Sequence, residues 1–198
     1  MEVRTPVDGS ADEECYLELR DFTPVIVHRA RRRDRAAVLE FVRRMSPETI
    51  ELRFGSPMLE EAVSEEILGA GPAEHRVALV LETIGRVPRI VGSAEYVVYP
   101  GDAARAEVAF LLEDEFQGRG AGTLLLHELA RRARARGVRR FTAIVAQENT
   151  AMRDVFRNSG YPYTIVRDGT QWLIELEIGA PAAGPTLGTT SHLGPAVP

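Results

Sequence analysis

The chain has 198 residues, of which 44% are apolar and 27% charged, and its formal net charge is −5. This length suits one domain with a single core, and the composition is ordinary for a globular protein. The negative charge argues against a duplex-binding protein, no apolar run approaches the roughly 20 residues that span a bilayer, and the acidic first residues do not resemble a signal peptide.

The cysteine and lysine content sets two further expectations. Cys15 is the only cysteine, so no internal disulfide forms, and we expect a reducing, cytoplasmic setting without membrane or nucleic-acid partners. All 24 basic side chains are arginine, which we interpret as composition bias of the source genome. The chain therefore has no lysine side chain of its own to modify.

Hydrophobic periodicity and turn residues predict one domain at residues 14–178, between a disordered leader at 1–13 and a disordered tail or linker at 179–198. The predicted strands, in chain order, are residues 16–19, 24–28, 76–84, 89–99, 105–112, 141–145, 161–166 and 171–178. The predicted helices are residues 31–45, 46–54, one or two turns around 63–68, 121–136 and 150–159. This order predicts an α/β (α+β) fold with a sheet of mixed direction covered by helices.

Two helices carry specific expectations. In the helix at 31–45, the recurrence of Val38, Phe41, Val42 and Met45 predicts a buried stripe. The helix that starts at residue 121 ends in an arginine run, which we interpret as a solvated face.

The segment 106–126, AEVAFLLEDEFQGRGAGTLLL, places glycines 118, 120 and 122 between a strand and a helix. A helix N-terminus presents unpaired N–H groups and about half a positive charge, and the glycines remove side chains that would block access. The segment therefore predicts an anion site suited to a phosphate.

Two known phosphate loops do not match this segment. A P-loop needs lysine and serine or threonine after its last glycine, and a dinucleotide fingerprint needs a third glycine where this chain has Thr123. The pattern present is Q-x-x-G-x-G, formed by Gln117, Gly120 and Gly122.

This segment resembles the acyl-CoA-binding motif of the GCN5-related N-acetyltransferase (GNAT) superfamily. A second stretch, QENTAM at 147–152 followed by Phe156 and SGY at 159–161, resembles the second cofactor motif of that superfamily. The resemblance covers residues 24–178 and implies the GNAT-type acyl-CoA N-acyltransferase fold, with a mostly antiparallel mixed sheet flanked by helices.

The resemblance also implies acetyl-CoA as the acyl-donor substrate and no metal. Loop amides would hold the pyrophosphate, and the strand at 108–112 would lie along the pantetheine arm. The cofactor-binding residues that it implies are Phe110, Leu111, Leu112, Gln117, Gly118, Arg119, Gly120, Ala121, Gly122, Thr123, Asn149, Met152 and Phe156.

Glu107 is the candidate general base for transfer to an amine. It is a carboxylate inside an apolar strand just before the loop, and the protein acetyltransferases that the chain resembles use a glutamate there. The alternative is a strand carboxylate paired with Arg105 or another arginine. Glu95 is the second candidate base, and we interpret the acidic run 113–115 as a solvated turn.

The proton donor for the leaving thiolate is an open question, because Phe156 stands where many members of the superfamily have tyrosine. Tyr161, a water molecule or unassisted departure are the options, although Tyr161 also fits a core position. Asn149 suits both a helix cap and a cofactor contact. The four histidines show no metal spacing, and Cys15 has no activating pattern.

A closer resemblance concerns the stretches LRDFTPVIV at 19–27 and MSPETIELRFGSP at 45–57. They are similar to the catalytic domains of bacterial protein lysine acetyltransferases, which are often fused to a regulatory domain that these residues lack. The acceptor is therefore expected to be a protein lysine, with residues 46–75 forming its wall. A small amine as acceptor, or a non-catalytic acyl-CoA sensor, are the alternatives.

Overall fold

The computed structural model describes residues 14–69, 75–180 and 189–191. Nine strands in these ranges form one sheet in the order β1-β2-β3-β4-β5-β6-β8-β7-β9. The strands are β1 (Cys15–Glu18), β2 (Pro24–Arg29), β3 (Arg76–Thr83), β4 (Ile90–Tyr99), β5 (Asp102–Leu112), β6 (Arg140–Ala146), β7 (Tyr163–Asp168), β8 (Gln171–Glu177) and β9 (Thr189–Ser191). The helices are α1 (Arg35–Arg43), α2 (Pro47–Phe54), α3 (Glu60–Leu68), α4 (Ala121–Ala135) and α5 (Thr150–Arg157).

The predicted mixed, mostly antiparallel sheet is confirmed. Only the pairs β5–β6 and β7–β9 are parallel among the described strands. The predicted leader at 1–13 lies outside the described residues, as does most of the predicted tail.

The largest differences from the predicted helix boundaries are at α1 and α3. A short 3-10 turn (Arg32–Asp34) precedes α1, so the predicted helix at 31–45 begins later, and α3 is longer than the one or two turns expected. The start of α2 is confirmed: the Ser46 side chain accepts a hydrogen bond from the Thr49 N–H at 3.2 Å, and proline occupies the first turn.

The sheet has a hydrophobic core on each face. On one face α4 and α5 bury Leu125, Leu129 and Phe156, and on the other α1 to α3 bury the predicted stripe of α1 together with Ile50 and Val63. Strand β5 contributes to both cores, because neighbouring side chains of a strand point to opposite faces. Val108 and Phe110 belong to the α4–α5 core, whereas Leu111 belongs to the other core.

The arginine run at the end of α4 is solvated only in part: Arg131 and Arg136 are exposed, as expected, whereas Arg132 is buried. Arg132 is only 4% exposed and donates to Glu128, while Arg134 and Arg136 donate to tyrosine hydroxyls. Burial opposes ionisation of Glu128, but hydrogen bonds and positive charge from Arg131 and Arg132 outweigh it and hold the pKa of this carboxyl below its usual range.

The parallel pairing of β5 with β6 is very short. It extends over three positions, from Arg105 opposite Arg140 to Glu107 opposite Thr142. Beyond this point β5 stays paired with β4 as far as Leu112, and β6 stays paired with β8 as far as Ala146. The two strands therefore diverge, and the sheet opens between them.

Candidate active site

A cleft of about 910 Å³ occupies the opening between the diverging strands. Its walls come from α2 on one side of the sheet and from the start of α4 and the segment leading into α5 on the other. The residues implied for cofactor binding that line it are Phe110, Leu111, Leu112, Gln117, Gly118, Gly120, Gly122, Thr123, Asn149, Met152 and Phe156. The structure thus brings the two sequence motifs together around one cavity.

The loop before α4 offers unpaired hydrogen-bond donors to this cleft. Among the described residues, the backbone N–H groups of residues 118–123 donate no hydrogen bond to another protein group. Such donors at the start of a 15-residue helix, with the positive end of its dipole, suit an anion.

The glycines of the loop have two different functions in the structure. Gly118 and Gly120 have φ of +71° and +89°, a left-handed conformation that favours glycine. A Cβ on Gly122 would instead lie 2.8 Å from Cγ2 of Val155 and 3.3 Å from Cδ1 of Leu112. Gly122 therefore allows α4 to approach α5 closely at the floor of the cleft.

The Arg119 side chain does not face the cleft, so the cofactor contact that the resemblance implies for Arg119 would be made by its main chain. Its Nε donates to Asp21 at 2.7 Å, its terminal nitrogen donates to Thr23 at 2.7 Å, and its guanidinium lies 4.4 Å from the ring centroid of Phe116. Hydrogen bonds from Thr23, followed by those from Arg119, hold the pKa of Asp21 below its usual range. Arg119 thus fastens the β1–β2 hairpin to the loop, and only its backbone is left for a ligand.

The Ala121 side chain does not face the cleft either. Ala121 is 1% exposed and does not line the cavity, so it offers only its backbone. Both residues were implied by a motif whose chemistry lies in the main chain. The motif alone carries no signal for where their side chains point.

Glu107 lines the cleft at the point where β5 and β6 separate. Its side chain is exposed, and its carboxylate has no hydrogen bond or ion pair among the described residues. The alternative of a structural pair with Arg105 does not apply, since Arg105 pairs with Glu175 at 3.3 Å. A free carboxylate in this position is accessible to a ligand in the cleft.

Glu95, the second candidate base, lies on the same face of the sheet, because Val97 of its strand is the cross-strand partner of Glu107. Its carboxylate accepts hydrogen bonds from Arg53 at 2.7 Å and from Arg76. It does not line the large cleft. Glu95 therefore orients two arginines, one of which, Arg53, lines the cleft.

The acidic run after β5 is a solvated turn only in part: Asp114 and Glu115 are exposed, as expected, whereas Glu113 is buried. Glu113 is 2% exposed and accepts a hydrogen bond from Arg44 at 2.5 Å, while Asp114 accepts from the Thr49 hydroxyl at 2.6 Å. These contacts tie the ends of α1 and α2 to the strand that leads into the loop. Sequence analysis missed Arg44 because nothing local distinguishes it from its neighbour Arg43.

The residues of the second motif have the expected structural roles. The Asn149 side chain accepts a hydrogen bond from the Met152 N–H at 2.9 Å, so it caps α5 while also lining the cleft. Phe156 is fully buried and packs edge-on against Phe110, with 5.9 Å between ring centroids. The Tyr161 hydroxyl accepts from Arg134 at 2.9 Å within the core, and Tyr161 does not line the cleft.

The segment expected to form the acceptor wall lines the cleft only in part. Residues of the segment 46–55, including Glu48, Glu51 and Arg53, line the cleft, whereas the described residues beyond 55 in the predicted range 46–75 do not. Of that range, residues 70–74 lie outside the described part.

No three histidine, cysteine, aspartate or glutamate side chains in the described ranges are grouped to hold a metal ion. In the same ranges, every helix is too short or too polar to cross a membrane.

The split parallel strand pair, with a donor-rich loop at its open end, places the protein among acyltransferases of the GNAT fold. The GNAT domain of S. lividans PAT superposes with a TM-score of 0.73 at 30% identity, covering 83% of this chain and 96% of that one. Residues 40–161, more than half of the chain, match the Acetyltransferase (GNAT) family, and the protein belongs to that family.

Two curated relatives also carry acetyltransferase names. Acetyltransferase Pat of Mycolicibacterium smegmatis is 35% identical over 116 residues, which are 58% of this chain and 34% of that protein. Acetyltransferase PA5475 of Pseudomonas aeruginosa is 27% identical over 155 residues, covering 77% of this chain and 83% of that protein. The chain thus spans about a third of the length of Pat.

Proposed function

We propose that the cleft binds acetyl-CoA and transfers its acetyl group to a protein lysine, with Glu107 as general base. The single observation that carries this proposal is the unpaired Glu107 carboxylate, which shares one cleft with the unpaired loop amides of residues 118–123. A phosphate-bearing acyl donor needs the amides, and a protonated amine needs the carboxylate.

The amides of residues 118–123 would receive the pyrophosphate of acetyl-CoA. Hydrogen bonds to a charged acceptor contribute about 1.5–3 kcal/mol each, and the α4 dipole adds to them. The side chains of Arg119 and Ala121 have no part in this interaction, since both are directed elsewhere.

The acyl-bearing arm would extend from the loop along residues 108–112 of β5. The edge of β5 that faces β6 has no strand partner there, so its main-chain groups are available to an amide-containing arm and to the thioester carbonyl. Phe110 and Phe156 would pack against the arm from the α4–α5 side. One well-placed donor to the developing oxyanion is worth about 3–4 kcal/mol.

In the reaction, the amine nitrogen forms a bond to the thioester carbonyl carbon, and the carbon–sulfur bond of the resulting tetrahedral adduct then breaks. The amine must first lose a proton, since a lysine ammonium has a pKa near 10.4. Glu107 accepts that proton, a contribution of roughly 10²- to 10⁴-fold. The electron pair of the broken bond stays on sulfur, and the second proton that the nitrogen loses in becoming an amide passes to that sulfur or to water.

The leaving sulfur requires no protein acid in this scheme. Phe156 has no ionisable group, and the Tyr161 hydroxyl is engaged with Arg134 outside the cleft. A thiol has a pKa near 8.5, so a thiolate is a stable leaving group close to neutral pH.

A protein lysine is the acceptor that the sequence resemblance favours. The stretches at 19–27 and 45–57 resemble bacterial protein lysine acetyltransferases, and the similar proteins include two named Pat or PAT. Around Glu107 the acceptor side carries the exposed carboxylates of Glu48 and Glu51, which suit a cationic side chain.

The test is a release assay for free thiol from acetyl-CoA, with lysine peptides, a cell lysate and small amines as acceptors, followed by mass spectrometry. We expect acetyl-lysine in proteins of the lysate. Every acetyl-lysine detected must belong to an acceptor, because this chain has no lysine. Thiol release with polyamines or amino acids but with no protein would overturn the lysine assignment.

A further inference from the structure

The turn of the β1–β2 hairpin is attached to the anion loop, and Arg20 lies at the contact. The Arg20 N–H donates to the Arg119 carbonyl at 3.1 Å. Within the turn, the Leu19 N–H donates to the Thr23 carbonyl at 3.0 Å. The Arg119 Nε donates to the Asp21 carboxylate of the same turn. The backbone of Arg20 is therefore fixed relative to the loop.

The Arg20 side chain lies against Gly120, the residue that begins α4. A Cβ on Gly120 would lie 3.0 Å from Cγ and 3.2 Å from Nε of Arg20. The absence of a side chain at position 120 thus leaves room for the arginine beside the unpaired amides. Arg20 also lines the cleft.

Arg20 differs from the other arginine of the cleft lining in having no acidic partner. Arg53 is bound to Glu95, whereas the exposed Arg20 guanidinium makes no ion pair or hydrogen bond with the described residues. The loop's own arginine, Arg119, is bound to Asp21. The positive charge available at the loop therefore comes from the hairpin.

We propose that Arg20 is a phosphate ligand of the acyl donor, an inference that rests on the proposed function. A guanidinium presents five N–H donors in a planar arrangement that matches phosphate oxygens. The Asp21–Arg119 pair positions the hairpin so that the preceding residue, Arg20, reaches the phosphate. Acetyl-CoA has two phosphate sources for this contact, the pyrophosphate and the 3′-phosphate.

The test compares Arg20→Gln with Arg86→Gln in steady-state kinetics, with acetyl-CoA and acetyl-3′-dephospho-CoA as donors. Arg86 is a matched control, because it is exposed in the β3–β4 turn, lies outside the cleft lining and has no partner among the described residues. We expect Arg20→Gln to raise the donor KM about tenfold, the lower end for a charged hydrogen bond. The acceptor KM should stay as in the wild type.

The two donors separate the phosphate sources. A contact to the 3′-phosphate predicts that the effect of Arg20→Gln disappears with the dephospho donor, and a contact to the pyrophosphate predicts that it persists. Arg20→Lys should recover part of the loss. An unchanged thermal unfolding midpoint for Arg20→Gln shows that the hairpin is still attached.

Equal donor KM values for Arg20→Gln and Arg86→Gln, with both donors, would overturn the assignment of Arg20 alone. A wild-type protein that neither binds CoA in calorimetry nor releases thiol would overturn the proposed function as well. This second result comes from the unmodified protein, so the two failures are distinguishable.

Discussion

The two ends of the cleft are built from different parts of the polypeptide. At the anion end, residues 118–123 present main-chain N–H groups that any residue of the right conformation supplies. At the other end, Glu107 and Arg53 present side chains whose availability depends on their partners. The anion end therefore follows from local sequence, whereas the reactive end depends on tertiary pairing.

The largest effect is expected at the side-chain end. Glu107→Gln should lower kcat at neutral pH by roughly 10²- to 10⁴-fold, the contribution of a general base. The loss should shrink at high pH, where the amine deprotonates without help. A pH–rate profile of both enzymes from neutral to alkaline pH measures this.

Glu95→Gln is the matched control for that prediction, because Glu95 lies on the same face of the sheet but is bound to two arginines. We expect it to lower the free energy of unfolding while leaving the shape of the pH–rate profile as in the wild type. A wild-type rate for Glu107→Gln, or an altered profile for Glu95→Gln, would reverse the two assignments.

An intermediate effect is expected at the main-chain end. There, the missing side chain of Gly122 lets α4 and α5 pack closely, and Gly118 adopts a left-handed backbone conformation. Gly122→Ala should lower the free energy of unfolding by about 1–3 kcal/mol through overpacking against Val155 and raise the KM for acetyl-CoA. Gly118→Ala meets no atom within 4 Å but has a φ of +71°, so its cost is the left-handed backbone alone, about 1–2 kcal/mol.

Denaturant unfolding of both variants, together with donor KM values, distinguishes the two causes. Replacing Val155 by alanine should relieve much of the Gly122→Ala defect and none of the Gly118→Ala defect. If the Val155 change relieves neither variant, Gly122 has a role other than close packing.

The smallest effect is expected at Asn149, where one side chain caps a helix and lines the cleft. Asn149→Ala should lower the free energy of unfolding by about 1 kcal/mol, and Asn149→Asp should restore it because aspartate also caps helices. Thermal or denaturant unfolding checks this. Equal stability of the alanine variant and the wild type would show that the observed Met152 contact contributes nothing.

The sequence predicted most of the architecture because the elements have strong local signals. The α1 stripe, the Ser46–Pro47 helix start and the alternation of β5 are each determined by neighbouring residues. The boundaries of α3 were less accurate, since no side chain caps either of its ends.

The sequence could not show which charges are paired. Glu113 and Glu115 are two residues apart in the same turn, yet one is buried against Arg44 and the other is exposed beside Arg89. The Arg119 side chain is bound to Asp21 of the β1–β2 turn. Arg132, which we expected in solvent, is bound to Glu128 one turn earlier in α4. Such pairings connect residues far apart in the chain or depend on which helix face is buried, and neither property is visible in a short motif.

Because β5 pairs with β6 at only three positions, the rest of the β5 edge that faces β6 has no strand partner. In an open sheet, a row of unpaired N–H and C=O groups is an aggregation hazard, which proteins blunt with charges, bulges or covering elements. Here α2, the start of α4 and the segment leading into α5 enclose that edge in a cleft of about 910 Å³, a volume suited to one extended ligand. Because it is enclosed, this strand edge can bind a ligand in the cleft but cannot pair with a strand of another chain.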